Sequence, residues 1–185
     1  MKISIFIGVL LGSLACFGAE KTRLKMGVEE IPYLPYFEYA QSQYNGFAKD
    51  LLDSFAKDSD LEWVYTGYPV KRLYNNYLKK NSSLDFKFPD HENWQEELKE
   101  GHKIFYSRGV ISFTDGVMVQ KRNLGKVKLK TLGIVRGFTP FDFLPQIRSG
   151  QVKVIEANRI EGLLIQAAKG RVDGVYVNIE VAKYL

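Results

Sequence analysis

Residues 27–55, GVEEIPYLPYFEYAQSQYNGFAKDLLDSF, join the end of an apolar strand to a loop rich in aromatic side chains and then to an amphipathic helix. The strand is predicted at 24–28, and the Asn45-Gly46 pair ends the loop before a helix that starts at Phe47. In α/β domains, ligands usually bind beside the loops that follow the carboxyl ends of strands. The aromatic loop is therefore predicted to form one wall of a binding site.

Beyond this stretch, strand and helix patterns alternate in two separate series. The first series has strands at 61–66 and 84–88, with a helix after Pro69 between them and a polar helix at 92–99. The second has strands at 132–135, 152–155 and 174–177, with helices that begin near Thr139, Asn158 and Ile179. Two such series, joined by an extended crossover, predict an α/β fold of two lobes, each a mostly parallel sheet flanked by helices, with a cleft between them.

Two of the predicted helix starts carry a capping-box pattern, in which a polar side chain precedes an acid by three residues. Thr139 precedes Asp142, and Asn158 precedes Glu161. Such pairs satisfy the free backbone amides of a helix start. Thr139 and Asn158 are therefore predicted to cap helices.

The amino-terminal residues predict export. Lys2 is followed by an almost unbroken apolar run, too short to span a bilayer comfortably, and then by small and polar residues, which is the pattern of a secretory signal peptide. We predict a signal peptide at 1–18, cleavage after Gly18 and a periplasmic location; lipid anchoring through Cys16 is the alternative. Cleavage at Gly18 would remove the only cysteine and leave no disulfide within the mature chain.

The charges and motifs indicate neither a nucleic-acid partner nor a catalytic centre. The chain has 26 basic and 21 acidic side chains, and the basic ones are spread along all its parts. His91 and His102 lie 11 residues apart, without a cysteine partner or helical metal-ligand spacing. No GxSxG, phosphate-loop or dinucleotide-binding motif is present. The sequence predicts no metal, no cofactor and no catalytic residue.

Three segments carry a resemblance to a known family. They are GVEEIPYLPYFEYAQSQYNGFAKDLL at 27–52, YPVKRLYNNYLKKNSSLDFKF at 68–88, and LGIVRGFTP at 132–140 together with GRVDGVYVNIEVAKYL at 170–185. In this order they resemble the periplasmic solute-binding proteins of family 3, the receptors of polar amino acid ABC transporters. The resemblance implies a periplasmic-binding-protein-like clamp of two lobes that closes on a small-molecule solute. It also implies a monomer and, as partner, the membrane permease of an ABC transporter.

The resemblance divides the mature chain into a first lobe at 19–112, a hinge crossover at 113–120 and a second lobe at 121–185. Members of the family return through a second hinge strand to a final helix on the first lobe. The sequence as given stops before that return, so we expect a C-terminally truncated form with an incomplete second lobe.

Seven residues are predicted to bind the ligand. They are Tyr33, Tyr36, Phe37 and Arg72 in the first lobe, and Arg136, Thr139 and Asn178 in the second. The aromatic three would form a wall for an apolar or cationic part of the ligand, because ring faces attract ammonium groups. The alternative is that they pack locally over the strand ends.

Both arginines and Thr139 favour an anionic group in the ligand. Arg72 lies in YPVKR, which is similar to the YPWKR of one subgroup of the family, and its guanidinium either binds a carboxylate through two hydrogen bonds or stays exposed on a helix. Thr139 stands at a predicted helix start, where free amides favour an anion; an ordinary N-cap is the alternative. Arg136 would strengthen that site if its side chain faces the cleft.

Two departures from the family weaken the case for an α-amino acid ligand. Amino acid binders of the family place an arginine shortly before the strand near Tyr106, and this chain has none there. They also often place an aspartate, for the ligand's ammonium, five residues after the position of Asp173, which is itself expected to support a strand turn. This chain has Asn178 there, an amide that can hydrogen-bond but lacks the charge.

We therefore predict non-catalytic binding of a small polar or anionic solute for an ABC-type importer. A dehydratase-like enzyme on the same scaffold is one alternative, with Glu29, Glu30 and Glu38 as the acids of the opening loop for general acid–base catalysis. An extracytoplasmic sensor domain of a receptor is the other.

Overall fold

The computed structural model describes residues 21–126 and 128–185. The predicted signal peptide, its cleavage site after Gly18 and Cys16 lie outside these residues. Within them, no helix is long and apolar enough to cross a membrane.

The first lobe is built on a three-stranded parallel sheet in the order β5–β1–β6. Its elements are β1 Thr22–Glu29, α1 Phe47–Asp58, β5 Leu61–Tyr68, α2 Val70–Leu78, β6 Phe86–Phe88 and α3 Glu96–Lys99. The central strand β1 pairs with β5 along its whole length and with β6 near its carboxyl end. That end is consequently buried, and Val28 and Glu29 are 0 % and 4 % exposed.

The aromatic segment after β1 is not an irregular loop but a small antiparallel sheet. Its strands are β2 Pro32–Tyr33, β3 Phe37–Ala40 and β4 Gln43–Asn45. Phe37 and Tyr44 face the core and are buried. The hairpin turns at Gln41 and Ser42, which both have positive φ (50° and 61°). Tight hairpins with this backbone usually carry Asn-Gly or Asp-Gly, so the sequence lacked the ordinary turn signal.

The second lobe contains a four-stranded sheet in the order β7–β10–β8–β9. Its elements are β7 Asp115–Met118, β8 Thr131–Val135, α4 Leu144–Arg148, β9 Lys153–Ala157, α5 Ile160–Ala168, β10 Gly174–Asn178 and α6 Ile179–Tyr184, with 3-10 helices at Lys121–Asn123 and Phe141–Phe143. Strands β8, β9 and β10 are parallel, whereas β7 runs antiparallel to β10. The segment predicted as the crossover thus supplies the edge strand of this sheet.

Three helix starts differ from the predictions. The helix expected at 92–99 covers only Glu96–Lys99, because Gln95 has a left-handed backbone (φ 49°) that a helix cannot continue through. Neither capping box forms. Thr139 is followed by a 3-10 helix without a side-chain cap, and α5 begins after Arg159, also without one.

The two lobes are in direct contact. Buried apolar side chains from both sheets belong to one continuous cluster. The rings of Tyr33 and Phe138 meet edge to face across the lobes, with centroids 5.3 Å apart. Gln95 Nε2 of the first lobe donates a hydrogen bond to Gly137 O of the second at 2.7 Å, and the Gln95 backbone N–H donates to Thr139 Oγ1 at 3.1 Å. The structure is therefore a closed arrangement of the two lobes.

Gly137 marks a close approach between the lobes. Its φ is +91°, and a Cβ there would lie 2.8 Å from Val70 Cβ on α2. Gly137→Ala is expected to lower the free energy of unfolding by about 2–4 kcal/mol, because left-handed strain and overpacking add. The matched control is Gly150→Ala, since Gly150 has φ +75° but open space around its Cβ; this variant should lose only the strain contribution of about 1–2 kcal/mol. Urea unfolding measures both losses, and equal values would contradict the contact between the lobes.

Candidate functional site

A small cavity lies between the lobes, at the carboxyl end of β1 and just beyond β8. Its volume is about 30 Å³, enough for one or two water-sized groups. The lining consists of Glu29, Tyr33, Phe37, Val70, Tyr74, Pro89, Trp94, Phe113, Asp115, Gly137, Phe138, Thr139 and Tyr176. Both lobes contribute, so the site exists where the two lobes meet.

The lining is aromatic and acidic. Seven of its residues are aromatic, two carry a carboxyl group and none is lysine, arginine or histidine. Ring faces attract cations, and carboxylates are strong hydrogen-bond acceptors for them. The cavity suits a positively charged or apolar group and offers nothing to neutralise an anion.

Glu29 is the last residue of β1 and is only 4 % exposed. Among the described residues, its carboxyl group forms no hydrogen bond and no ion pair, and it lines the cavity. Burial raises the pKa of Glu29 from its usual value to about 7, although the charge of Lys87 partly offsets this effect. Glu29 can therefore exchange a proton near neutral pH.

Asp115 begins β7 and approaches the cavity from the second lobe. Its Oδ2 accepts a hydrogen bond from Tyr176 Oη at 3.0 Å, and its Oδ1 accepts one from Asn178 Nδ2 at 3.3 Å. Both donors are neutral, so these bonds orient the carboxylate without cancelling its charge. Asp115 thus brings a second acidic group to the site.

Tyr33 occupies the middle of the aromatic lining. Its ring lies 5.4 Å from that of Phe37 and 5.3 Å from that of Phe138, measured between centroids. Its hydroxyl accepts a hydrogen bond from the backbone N–H of Asn178 at 3.3 Å. Burial raises the pKa of Tyr33, and nearby Asp115 and Glu29 raise it further, so the hydroxyl stays neutral and within the electrostatic range of both acids.

A buried charged cluster centred on Asp90 supports the first-lobe side of the cavity. Tyr74 Oη donates to Asp90 Oδ1 at 2.5 Å, and Lys99 Nζ donates to the same oxygen at 3.0 Å. Lys87 Nζ lies 3.6 Å from Oδ1, and Tyr106 Oη donates to Oδ2 at 3.3 Å. The side chains of Asp90, Lys87 and Lys99 are 8 %, 1 % and 9 % exposed. The cluster fixes Tyr74, which lines the cavity.

A wider groove of about 780 Å³ adjoins the cavity on the first-lobe side. Pro89, Trp94, Phe113 and Asp115 line both spaces. Most of the remaining groove residues are apolar, among them Leu52, Phe55, Trp63, Phe86 and Phe105. A ligand group in the cavity therefore has a neighbouring apolar surface for its remaining atoms.

The structure brings three of the seven predicted ligand residues into the lining. They are Tyr33, Phe37 and Thr139. Thr139 does not act there as a helix cap; its Oγ1 accepts from the Gln95 backbone N–H and from Gln95 Nε2 at 3.1 and 3.2 Å. Tyr36 packs beside the lining, with its ring centroid 4.7 Å from that of Phe113. Their contact with a ligand stays a prediction.

Both predicted arginines lie outside the lining. Arg72 is on the exposed face of α2. Arg136 has a side chain that is 60 % exposed, and its Nε lies 3.4 Å from Glu156 Oε2. The predicted anion site therefore has neither a guanidinium nor a helix start that faces the cavity, since only a 3-10 helix follows Thr139.

Asn178, predicted to bind the ligand, is fully buried and has a structural role. Its Oδ1 caps α6 by accepting from the backbone N–H groups of Glu180 and Val181, and its Nδ2 donates to Asp115. It does not line the cavity itself. Asp173 lies as expected at a strand turn, where its Oδ2 accepts from the backbone of Lys130 and from both the backbone and the hydroxyl of Thr131.

The comparisons with known proteins find relatives only by structure. No family model and no curated protein matches the chain. The periplasmic binding protein of an arginine transport system from Legionella pneumophila is 18 % identical, with a TM-score of 0.64, over 89 % of this chain and 72 % of that one. The ancestral amino acid-binding protein AncCDT-1, a precursor of cyclohexadienyl dehydratase, is 17 % identical, with a TM-score of 0.66, over 88 % and 73 %. The VFT2 domain of BvgS from Bordetella pertussis is 18 % identical, with a TM-score of 0.66, over 88 % and 68 %.

At such identities the likeness is one of fold. The matched structures span both parallel-sheet lobes, so the predicted fold class is confirmed, while the predicted lobe boundaries stay a prediction. The chain is a periplasmic-binding-protein-like α/β protein, with two lobes that meet at an aromatic and acidic cleft.

Proposed function

We propose that this protein captures a small polar solute between its lobes outside the cytoplasm and delivers it, unchanged, to the permease of an ABC-type importer. The observation that carries the proposal is the cavity lined from both lobes, with a buried carboxyl group that has no hydrogen bond among the described residues. Neighbours of the same fold support it, including the binding protein of an arginine transport system.

Capture by closure explains why the lining is divided between the lobes. Separation of the lobes would expose Glu29 and Tyr33 on one side and Phe138 and Thr139 on the other. A solute that contacts both sides favours the closed arrangement by its difference in affinity for the two arrangements. The structure thus supports binding coupled to closure.

Titration of the mature protein with amino acids, amines and small organic acids tests solute capture. Isothermal calorimetry should find at least one saturable ligand, and the unfolding free energy should rise by about 2.7 kcal/mol at 100 times its Kd. The fluorescence of Trp94, in the lining, offers a second signal. The absence of binding across the panel would contradict solute capture.

Catalysis by Glu29 is the second candidate function. A buried carboxyl group with a pKa near 7 is suited to general acid–base catalysis, and the fold neighbour AncCDT-1 is a precursor of a dehydratase. Incubation with the substrate of cyclohexadienyl dehydratase tests this candidate. Turnover that is lost in Glu29→Gln and kept in the variant of its exposed neighbour, Glu30→Gln, would favour an enzyme over a carrier.

A further inference from the structure

We propose that the ligand is an organic amine without a carboxylate, and that its ammonium group is held between Glu29 and Asp115 inside the aromatic cavity. This inference rests on the proposed function, since it names the class of solute that the same cleft captures. Of the two possibilities predicted from the sequence, a small polar or an anionic solute, it keeps the first and departs from the second.

The first argument is charge. Two carboxyl groups reach the cavity, one from each lobe, and no basic side chain lines it. Neither Glu29 nor Asp115 forms an ion pair with any residue in 21–126 or 128–185. A ligand carboxylate inside the cavity would meet like charges without a compensating positive charge in the lining, which is unfavourable in a desolvated site. An ammonium group would supply the charge that both acids lack.

Basic side chains lie near the cavity without lining it: Lys87, His91 and Arg108 line the adjoining groove. Lys87 Nζ donates to Pro89 O and lies 3.6 Å from Asp90 Oδ1, within the charged cluster. Arg136 is paired with Glu156 on the surface. These groups therefore leave the acidic character of the cavity in place.

The second argument is the enclosure of Glu29. The residue is 4 % exposed and its carboxyl group forms no hydrogen bond among the described residues, but its oxygens are not among the fully enclosed polar atoms without a partner, so they keep some accessible surface. A carboxyl group this deeply placed is costly unless a partner satisfies it. Its position in the lining leaves the cavity as the place for such a partner. An ammonium group has three donors, enough to serve Glu29 and Asp115 together.

The third argument is the set of ring faces and the available space. Tyr33, Phe138 and Trp94 belong to the lining, and aromatic faces stabilise a desolvated cation by about 2 kcal/mol or more. A cavity of about 30 Å³ accepts an ammonium group but not a whole amino acid. The rest of the ligand would extend past Trp94 and Phe113 into the adjoining groove, whose lining is mostly apolar.

Binding of such a cation should depend on the proton of Glu29. The charges that act on Glu29 are those of Lys87 and Asp90, and the charge of Glu29 in turn raises the pKa values of Tyr33, Tyr44 and Tyr74. With a pKa of about 7, Glu29 is mostly neutral at pH 6 and mostly charged at pH 8. Affinity for an ammonium ligand should therefore be about 10-fold weaker at pH 6 than at pH 8.

Benzylammonium is a direct probe, because it places an ammonium group on an apolar ring. Calorimetry at pH 8 compares it with benzyl alcohol, benzoate, L-arginine and L-glutamate. We expect benzylammonium to bind at least about 10-fold more tightly than benzyl alcohol, benzoate or either amino acid. One hydrogen bond to a charged group is worth about that much in affinity. Glu29→Gln should remove most of this preference, and Glu30→Gln, which changes an exposed neighbour, should keep it. Circular dichroism verifies that both variants are folded.

The outcomes separate the inference from the proposed function. Amine selectivity that is lost in Glu29→Gln and weakened at pH 6 supports the inference. Tightest binding of benzoate or an amino acid overturns it and leaves solute capture intact. Amine binding that is unchanged in Glu29→Gln overturns the role of Glu29. If none of these probes binds, and no compound in the wider panel of amino acids, amines and acids binds either, both proposals are overturned.

Discussion

Replacement of Asp90 by asparagine is expected to lower the free energy of unfolding by about 3–5 kcal/mol at pH 7. Asp90 is the acceptor for Tyr74, Lys99 and Tyr106, and it is the carboxylate beside Lys87. Both lysines are nearly inaccessible to water, so the loss of this charge leaves two buried ammonium groups without their counter-ion. Burial already lowers the pKa of Lys87, because the charged ammonium group is disfavoured in this environment. Loss of the Asp90 charge would disfavour it further.

Urea unfolding of Asp90→Asn measures this loss. Asp58→Asn is the matched control, because Asp58 lies at the exposed end of α1; a surface change of this kind usually shifts stability by no more than about 0.5 kcal/mol. Similar stabilities of the two variants would show that the cluster around Asp90 is not needed to hold the first lobe together.

Glu29→Gln is expected to stabilise the protein at high pH. The folded pKa of Glu29 is about 7 and the ordinary value is 4.5, so the folded protein holds this proton more tightly than the unfolded chain does. The contribution of this group to the free energy of unfolding is therefore fully present below pH 4.5. It decreases as the pH rises and is lost above pH 7. The total change is about 3 kcal/mol, and glutamine, which stays neutral, avoids it.

The difference between wild type and Glu29→Gln, measured by urea unfolding from pH 4.5 to 8, separates this contribution from titrating groups that do not interact with Glu29; Lys87 and Asp90 do interact with it. Glu30→Gln is the control, because Glu30 is exposed and its difference from wild type should stay constant. A Glu29→Gln difference that does not change with pH would mean that Glu29 is solvated in the folded protein.

The regular elements could be predicted because each is encoded locally. The apolar stripe after Phe47 and the run that became β10 have the periods of a helix and a buried strand. The hairpin at Gln41-Ser42 could not be predicted, since neither residue is the usual choice for positive φ. The helix start expected at Thr139 failed because Thr139 accepts a hydrogen bond from Gln95, 44 positions away in the chain, instead of capping its own segment.

Less of the candidate site than of the fold could be predicted from the sequence. Tyr33 and Phe37 could be predicted as cavity-lining residues because several aromatic side chains follow directly after a strand. The sequence indicates Glu29 only as a possible catalytic acid and does not single out Asp115. Their importance comes from burial and from the meeting of two distant strands, and neither is visible in local periodicity. An acid directly after a buried apolar strand, as at Glu29, is the signal that would have helped.

The contact between Asn178 and Asp115 also bears on how this chain could diverge. Asn178 Nδ2 donates to Asp115 Oδ1 at 3.3 Å, so an aspartate at 178 would place two carboxylates at that distance. Such a pair cannot both ionise freely and would share a proton. Only one of positions 115 and 178 can therefore carry a full negative charge, and in this chain it is position 115, on β7. A substitution at either position would be tolerated or rejected according to the residue at the other, so the two are expected to change together.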